Sequence, residues 1–415
     1  MLTENRPRPC AVWQLGHPVW QCGFRPFFIL ATLCAPLCIG LWVALLVAGW
    51  PVPLVAGGGL VWHAHELLFG FSLAAVAGFV LTGVPEFTQS AAFPPRVVRP
   101  LVACWLVGRI AFWSSGWGGA LALSVAALAH LGVVAGLAWL VAPRLWADAQ
   151  RKHLAFLWGL VALGLCVLGF YADALRGVYP GRWLYAALGV LMVLVVVAMS
   201  RISMRIVNSA IEETGVQGVE YLARPPRRNL VIGLIGLYTL AELAGSAARL
   251  QGWLALAAAA AVFHLLNDWH IGRALFRRWA FMLYGVYVLM ALGYATMGVS
   301  LVTGAGAFSA GRHLLTVGVL GLSIFAVLCI AGRTHCGVLP DERTWLPVAA
   351  AMLVLAALVR AAVALPGAGD ARGWWLGSGL LWCGAFLMYA WHMLPLLFSA
   401  RTDAGAGCDG AGEPA

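Results

Sequence analysis

The feature that most constrains this chain is a succession of apolar runs, each close to membrane-crossing length, separated by short polar stretches. A helix rises 1.5 Å per residue, so about 20 apolar residues cross the hydrocarbon of a bilayer. Twelve runs approach that length: 27–49, 60–84, 100–114, 118–141, 154–171, 183–200, 230–248, 253–266, 280–302, 313–332, 345–366 and 374–399. The third and eighth are the shortest. None alternates apolar with polar residues, so helices rather than barrel strands are predicted. The fold class is all-α, a polytopic transmembrane bundle of about twelve helices. Only 10% of residues are charged, where a soluble domain carries about 25%.

Basic residues set the predicted orientation. With the N-terminus in the cytoplasm, 19 Lys and Arg fall in cytoplasmic segments and 5 in outer ones, with Arg109 and Arg360 inside helices. That asymmetry places both termini in the cytoplasm. The net charge of +10 then faces the anionic leaflet and needs no nucleic-acid partner. Residues 1–23 are polar and lack the apolar stretch of a cleavable signal peptide. The chain divides into a cytoplasmic segment 1–26, one membrane domain 27–400 and a Gly/Ala-rich tail 401–415 predicted to be disordered. The domain reads as halves 27–200 and 230–400 joined by a cytoplasmic loop 201–229. Most of the ten cysteines lie inside helices, among them Cys34, Cys38, Cys104, Cys166, Cys329 and Cys383. They read as small hydrophobes, not as a disulfide framework. No internal repeat and no matched pair of interrupted helices is evident.

An ionisable residue inside a spanning helix costs roughly 2.5–3.5 kcal/mol on insertion scales, so each is a functional candidate. The outer half holds His63, His65, Glu66, Arg109, Glu242, His313 and Arg360; the cytoplasmic end holds His264 and His335, with Arg25 and Arg333 nearby. Residues two apart on a helix point about 200° from each other, so His63 and His65 do not easily share one metal. They serve two centres, or one ligates while the other hydrogen-bonds. Glu66, three after His63, is placed to orient that imidazole. His313 opens the tenth run at the same depth and can pair across helices with His63 or His65. His335 lies about 33 Å further along a helix, so one site cannot hold both, and His264 is its natural partner. His17, His130, His153, His270 and His392 read as structural. Arg109 and Arg360 can pair with Glu66 and Glu242, or bind haem propionates bidentately. No phosphate loop, dinucleotide fingerprint or covalent-haem CxxCH occurs, so any haem is non-covalent and b-type.

Several motifs resemble those of the NnrS family, haem- and copper-containing membrane proteins of the bacterial nitric oxide response. They are Gly23-Phe24-Arg25-Pro26-Phe27-Phe28, then Trp62-His63-Ala64-His65-Glu66-Leu67-Leu68-Phe69-Gly70-Phe71, then Gly78-Phe79-Val80-Leu81-Thr82-Gly83-Val84-Pro85. Gly108-Arg109, His313-Leu314-Leu315-Thr316-Val317-Gly318 with Gly321, His335-Cys336-Gly337, Arg360, and Leu394-Pro395-Leu396-Leu397 with Arg401 and Asp403 follow in order. The resemblance implies twelve helices in a bacterial inner membrane, haem b and copper, and protection against nitrosative stress in denitrifiers or their relatives. It implies nitric oxide or a related small molecule as partner, with an unassigned electron donor. Three blocks depart from the family: Glu86-Phe87-Thr88-Gln89, Arg201-Ile202-Ser203-Met204, and Thr334-His335-Cys336-Gly337-Val338. All are at the cytoplasmic face, marking a divergent member whose inner site differs more than its outer one. Cys336 beside His335 is a candidate soft copper ligand.

The leading expectation is therefore a haem/copper redox protein that binds or turns over nitric oxide. His63, His65 and His313 are the favoured metal ligands, His264 and His335 an inner pair, and Glu66, Arg109 and Arg360 the cofactor-binding side chains. A twelve-helix secondary transporter for a metal ion or organic anion uses the same buried His, Glu and Arg and is the alternative. A third reading is a non-catalytic partner that assembles or regulates another membrane complex.

Overall fold

The computed structural model describes residues 11–401 apart from 216, 366–368 and 370, together with 403 and 408. Among them there is no strand, and twelve long helices follow one another: α1 Phe24–Ala48, α2 Gly58–Phe87, α3 Pro95–Trp113, α4 Ser115–Ala147, α5 Leu154–Leu175, α6 Gly181–Glu213, α7 Pro225–Leu243, α8 Ala248–Leu265, α9 Arg278–Thr303, α10 Phe308–Thr334, α11 Trp345–Ala362 and α12 Ala371–Phe398. Each predicted run falls on one helix. Ten are long and apolar enough to cross a membrane, so this is a multi-pass membrane protein. The other two, α3 and α7, have the length, at 19 residues each, but each carries three charged residues. The eighth run, expected to be short, belongs to the ten, because a 3-10 turn extends α8 to Trp269.

Local chemistry sets the helix ends. Proline at the first helical position, where no amide donor is needed, opens α3 and α7. Gly49, at φ 71°, ends α1 and donates to Leu45 O at 2.9 Å, the left-handed turn that glycine adopts without penalty. The expected loop 201–229 is much shorter. Helix α6 continues through the Arg201–Arg205 stretch to Glu213, because that stretch lacks a proline and keeps an inward apolar face at Val207, Ala210 and Ile211.

Three helices form the centre. The apolar windows of α2, α6 and α10 are 83%, 78% and 78% buried, against 33–56% for the other spans. The remaining helices pack in three groups, α3–α4–α5, α7–α8–α9 and α11–α12–α1, the last closed by α1 against α12. Small residues let backbones meet on the α8–α9–α10 side. A Cβ at Gly298 would stand 2.9 Å from Gly252 O, and one at Gly311 would stand 2.5 Å from Gly293 O. Such contacts replace the hydrophobic driving force that lipid removes.

One cysteine expectation needs correction. Seven described cysteines are free, but Cys22 and Cys408 form a disulfide across 386 residues. Of the tail 401–415, the described residues 401, 403 and 408 lie against the bundle. Asp403 pairs with Arg401 at 2.7 Å, and the Cys408 carbonyl accepts from His335 Nδ1 at 2.7 Å. The rest of the tail lies outside the described residues.

Candidate functional site

Helix α2 is not uniform. It is α-helical to His65, opens into a wider π-helical stretch over Glu66–Ser72, and then tightens again. Helix α10 does the same: α-helical to His313, π-helical over Leu314–Leu320, and α-helical from Gly321. Extended π stretches are rare and concentrate at functional sites. The two irregular stretches have a shared sequence signal, a histidine followed five residues later by glycine (His65 to Gly70, His313 to Gly318).

The turn sends its histidines into different surroundings. His65 enters a fully buried polar cluster among α2, α3, α4 and α5. Its Nδ1 is 3.0 Å from Glu66 Oε1 and its Nε2 is 2.9 Å from Tyr171 OH. Tyr171 OH is 2.6 Å from His130 Nδ1. Arg109 reaches both ends, with Nη1 2.8 Å from Glu66 Oε1 and Nη2 hydrogen-bonded to His130 Nε2.

The proton positions follow from donor chemistry. A guanidinium only donates and a carboxylate only accepts. Arg109 must therefore donate to His130 Nε2, so the proton of His130 sits on Nδ1 and goes to Tyr171. The Tyr171 hydroxyl then donates to His65 Nε2, and His65 Nδ1–H donates to Glu66. The circuit closes on Glu66, where Arg109 also donates, and it balances one cation with one anion. Two glycines make the space: a Cβ at Gly108 would stand 2.5 Å from His130 Nε2, and one at Gly70 would stand 2.7 Å from Arg109 Nη1. The indole of Trp105 donates to Gly70 O at 3.1 Å, occupying a carbonyl beside the wide turn.

His63 faces the other way, into a cavity of about 310 Å³ between α1, α2, α6, α10, α11 and α12. His313, Arg312 and Arg360 line the same cavity. His63 stacks on Trp42, with ring centroids 4.5 Å apart and planes 12° apart. Its buried Nδ1 has no hydrogen-bond partner, a costly condition for a polar atom inside protein. His313 Nδ1 is 2.7 Å from Ser309 O. A carbonyl only accepts, so the proton is on Nδ1 and Nε2 carries a free lone pair, the arrangement that fixes a ligating imidazole. Arg312 is engaged by Glu242 and lies 3.6 Å over the Tyr185 ring, whereas Arg360 has no ion-pair partner among the described residues.

The expected groupings change in three places, and the partner of His313 is settled as His63. Glu66 orients His65, not His63: its Oε1 accepts from His65 Nδ1 and from Arg109 Nη1. Glu242 pairs with Arg312 rather than Arg360. His65 and His313 do not meet; His63 and His313 do share a cavity. His264 is exposed on α8 and makes no hydrogen bond or ring contact with His335. His335 instead donates to Cys408 O, with Nε2 3.5 Å from Glu86. Cys336 Sγ donates to Leu396 O, and Arg25 bonds the Leu397 and Ser399 carbonyls. Sequence reasoning missed Tyr171 and Arg312, and it read His130 as structural, which fits a ring with both nitrogens bonded. Among the described residues, no group of three or more His, Cys, Asp or Glu is arranged to hold a metal ion.

A family model described as NnrS protein matches residues 18–401. No curated protein matches the chain.

Proposed function

The chain belongs to the NnrS family, and on that premise we propose that its cavity holds a b-type haem between His63 and His313 and serves the nitric oxide response. The observation that carries this reading is the donor pair. Two imidazoles from different helices line one largely apolar cavity, His313 tied to Ser309 O through Nδ1 and His63 with a buried Nδ1 that has no hydrogen-bond partner. Two protein donors would suffice for a metal that a macrocycle carries. A copper ion held by protein alone needs more, and no group of three or more such donors exists among the described residues.

His63 and His313 would hold such a haem, and its iron would supply one-electron chemistry and, where one of the two imidazoles gives way, a position for nitric oxide. The protein's own contribution is positional. Ser309 fixes the His313 tautomer, Trp42 holds the His63 ring flat, and Arg360, which no described carboxylate pairs, offers its guanidinium to a propionate carboxylate. The apolar walls exclude water and admit a small neutral gas, which partitions into the bilayer. In this reading the protein sits in the bacterial inner membrane with both termini in the cytoplasm, and protects against nitrosative stress linked to denitrification.

The test is the haem content of protein purified from cells supplied with haem and copper. A Soret band with haem near one per chain is expected. Protein without haem contradicts the reading, and substrate flux in proteoliposomes without a chromophore would favour transport instead. Haem-loaded protein that neither binds nitric oxide nor moves a solute would point to an assembly or regulatory partner.

A further inference from the structure

A second, smaller pocket lies among the three central helices α2, α6 and α10 and beside Phe156 of α5, with half-buried Val76, Phe79 and Ala198 in its wall. Its volume is about 60 Å³, several times the roughly 15 Å³ that one water needs in the same measure. Ser72 and Leu320 line both this void and the outer cavity. These two residues are the last of the two π-helical stretches, so the wide turns end at the partition between the spaces.

The chemistry of the walls selects the occupant. Apart from Ser72 and Ser323, every lining residue is apolar. Both hydroxyls are already used within their own helices. Ser72 Oγ donates to Leu67 O at 2.8 Å, the reach of a wide turn, and Ser323 Oγ donates to Leu320 O at 3.3 Å. A buried water needs two to four polar partners, and an apolar cavity without them stays dry and takes apolar guests. We propose that this void is a binding site for a small apolar gas of about diatomic size, reached from the outer cavity past Ser72 and Leu320. The size excludes a metal complex or organic anion, and the dry lining excludes an ion. The further role, a holding place for gas beside a metal centre, rests on the haem reading; the binding site itself does not.

Xenon is the probe, because it reports apolar voids without needing a cofactor. In xenon-pressurised crystals of the full chain, an anomalous peak is expected between α2, α6 and α10, bounded by Ser72 and Leu320. The peak should vanish in Ala75→Phe, and independently in Ala198→Phe, with helical content and melting checked in each so that a folding failure in one leaves the other to decide. No peak in the wild-type void, xenon confined to the outer cavity, or a lipid chain or ordered water in the void each overturns the proposal. The holding role is read separately: in haem-loaded protein, the fast recapture of photolysed nitric oxide should fall several-fold in the filled variants. Unchanged recapture with xenon bound rejects that role alone. A chain without haem that still binds xenon rejects the haem reading and leaves the void.

Discussion

His63 and His65 stand two residues apart on one helix and meet opposite conditions. On the α3–α5 side, every imidazole nitrogen has a partner, and the circuit from Arg109 through His130, Tyr171 and His65 to Glu66 has one consistent donor direction. On the α10–α12 side, the buried His63 Nδ1 has no hydrogen-bond partner among the described residues and His313 is tied to Ser309 through Nδ1. A circuit in which both imidazoles are bonded at each nitrogen rigidifies a core; an imidazole nitrogen left without a partner in a cavity is available to a ligand. Adjacent residues of the same type can therefore hold opposite roles, and the number of partners distinguishes them better than position in the motif.

The largest effects should come from breaking the bonded circuit. Glu66→Ala or Arg109→Ala leaves one buried charge unpaired and should cost about 3–5 kcal/mol, read as loss of folded yield or a large drop in melting temperature in detergent. Unchanged melting in either variant would mean that the circuit does not form. Gly108→Ala should cost about 1–3 kcal/mol by overpacking, since its Cβ would stand 2.5 Å from His130 Nε2; the same thermal assay reads it. Tyr171→Phe removes the hydroxyl that links His65 to His130 and should cost about 1–3 kcal/mol, with little change in cofactor content. On the open side the effect on stability is smallest. His63→Ala loses a ring stack on Trp42 worth about 1 kcal/mol, and a much larger loss would show that His63 is held by contacts other than that stack.

Much of the fold was legible because a membrane span leaves a plain mark, a run of apolar residues of fixed length. The closure of α1 against α12 and the central place of α2, α6 and α10 leave no such mark, since a buried span and a lipid-facing span are equally apolar. The candidate site was legible in part. The 200° rule separated His63 from His65 correctly, because it depends only on helix geometry. It misplaced Glu66: three residues on from His63 along α-helical backbone, the carboxylate takes its neighbour His65 and the cross-helix Arg109 instead, and a spacing rule carries no sign of Arg109 on another helix. Tyr171 had no signal at all. A tyrosine in an apolar run looks like any core aromatic until two imidazoles are found at its hydroxyl. The Cys22–Cys408 bridge was hidden for a similar reason, a pairing across almost the whole chain that only the folded tail brings together.

The division between the two histidines is tested most directly by the absorption spectra of His63→Ala and His65→Ala, purified side by side with the wild type. The account predicts that His63→Ala loses the Soret band, or shifts it toward a single-histidine form, while the folded fraction of His65→Ala keeps the wild-type spectrum. A spectrum lost in His65→Ala and preserved in His63→Ala would contradict it.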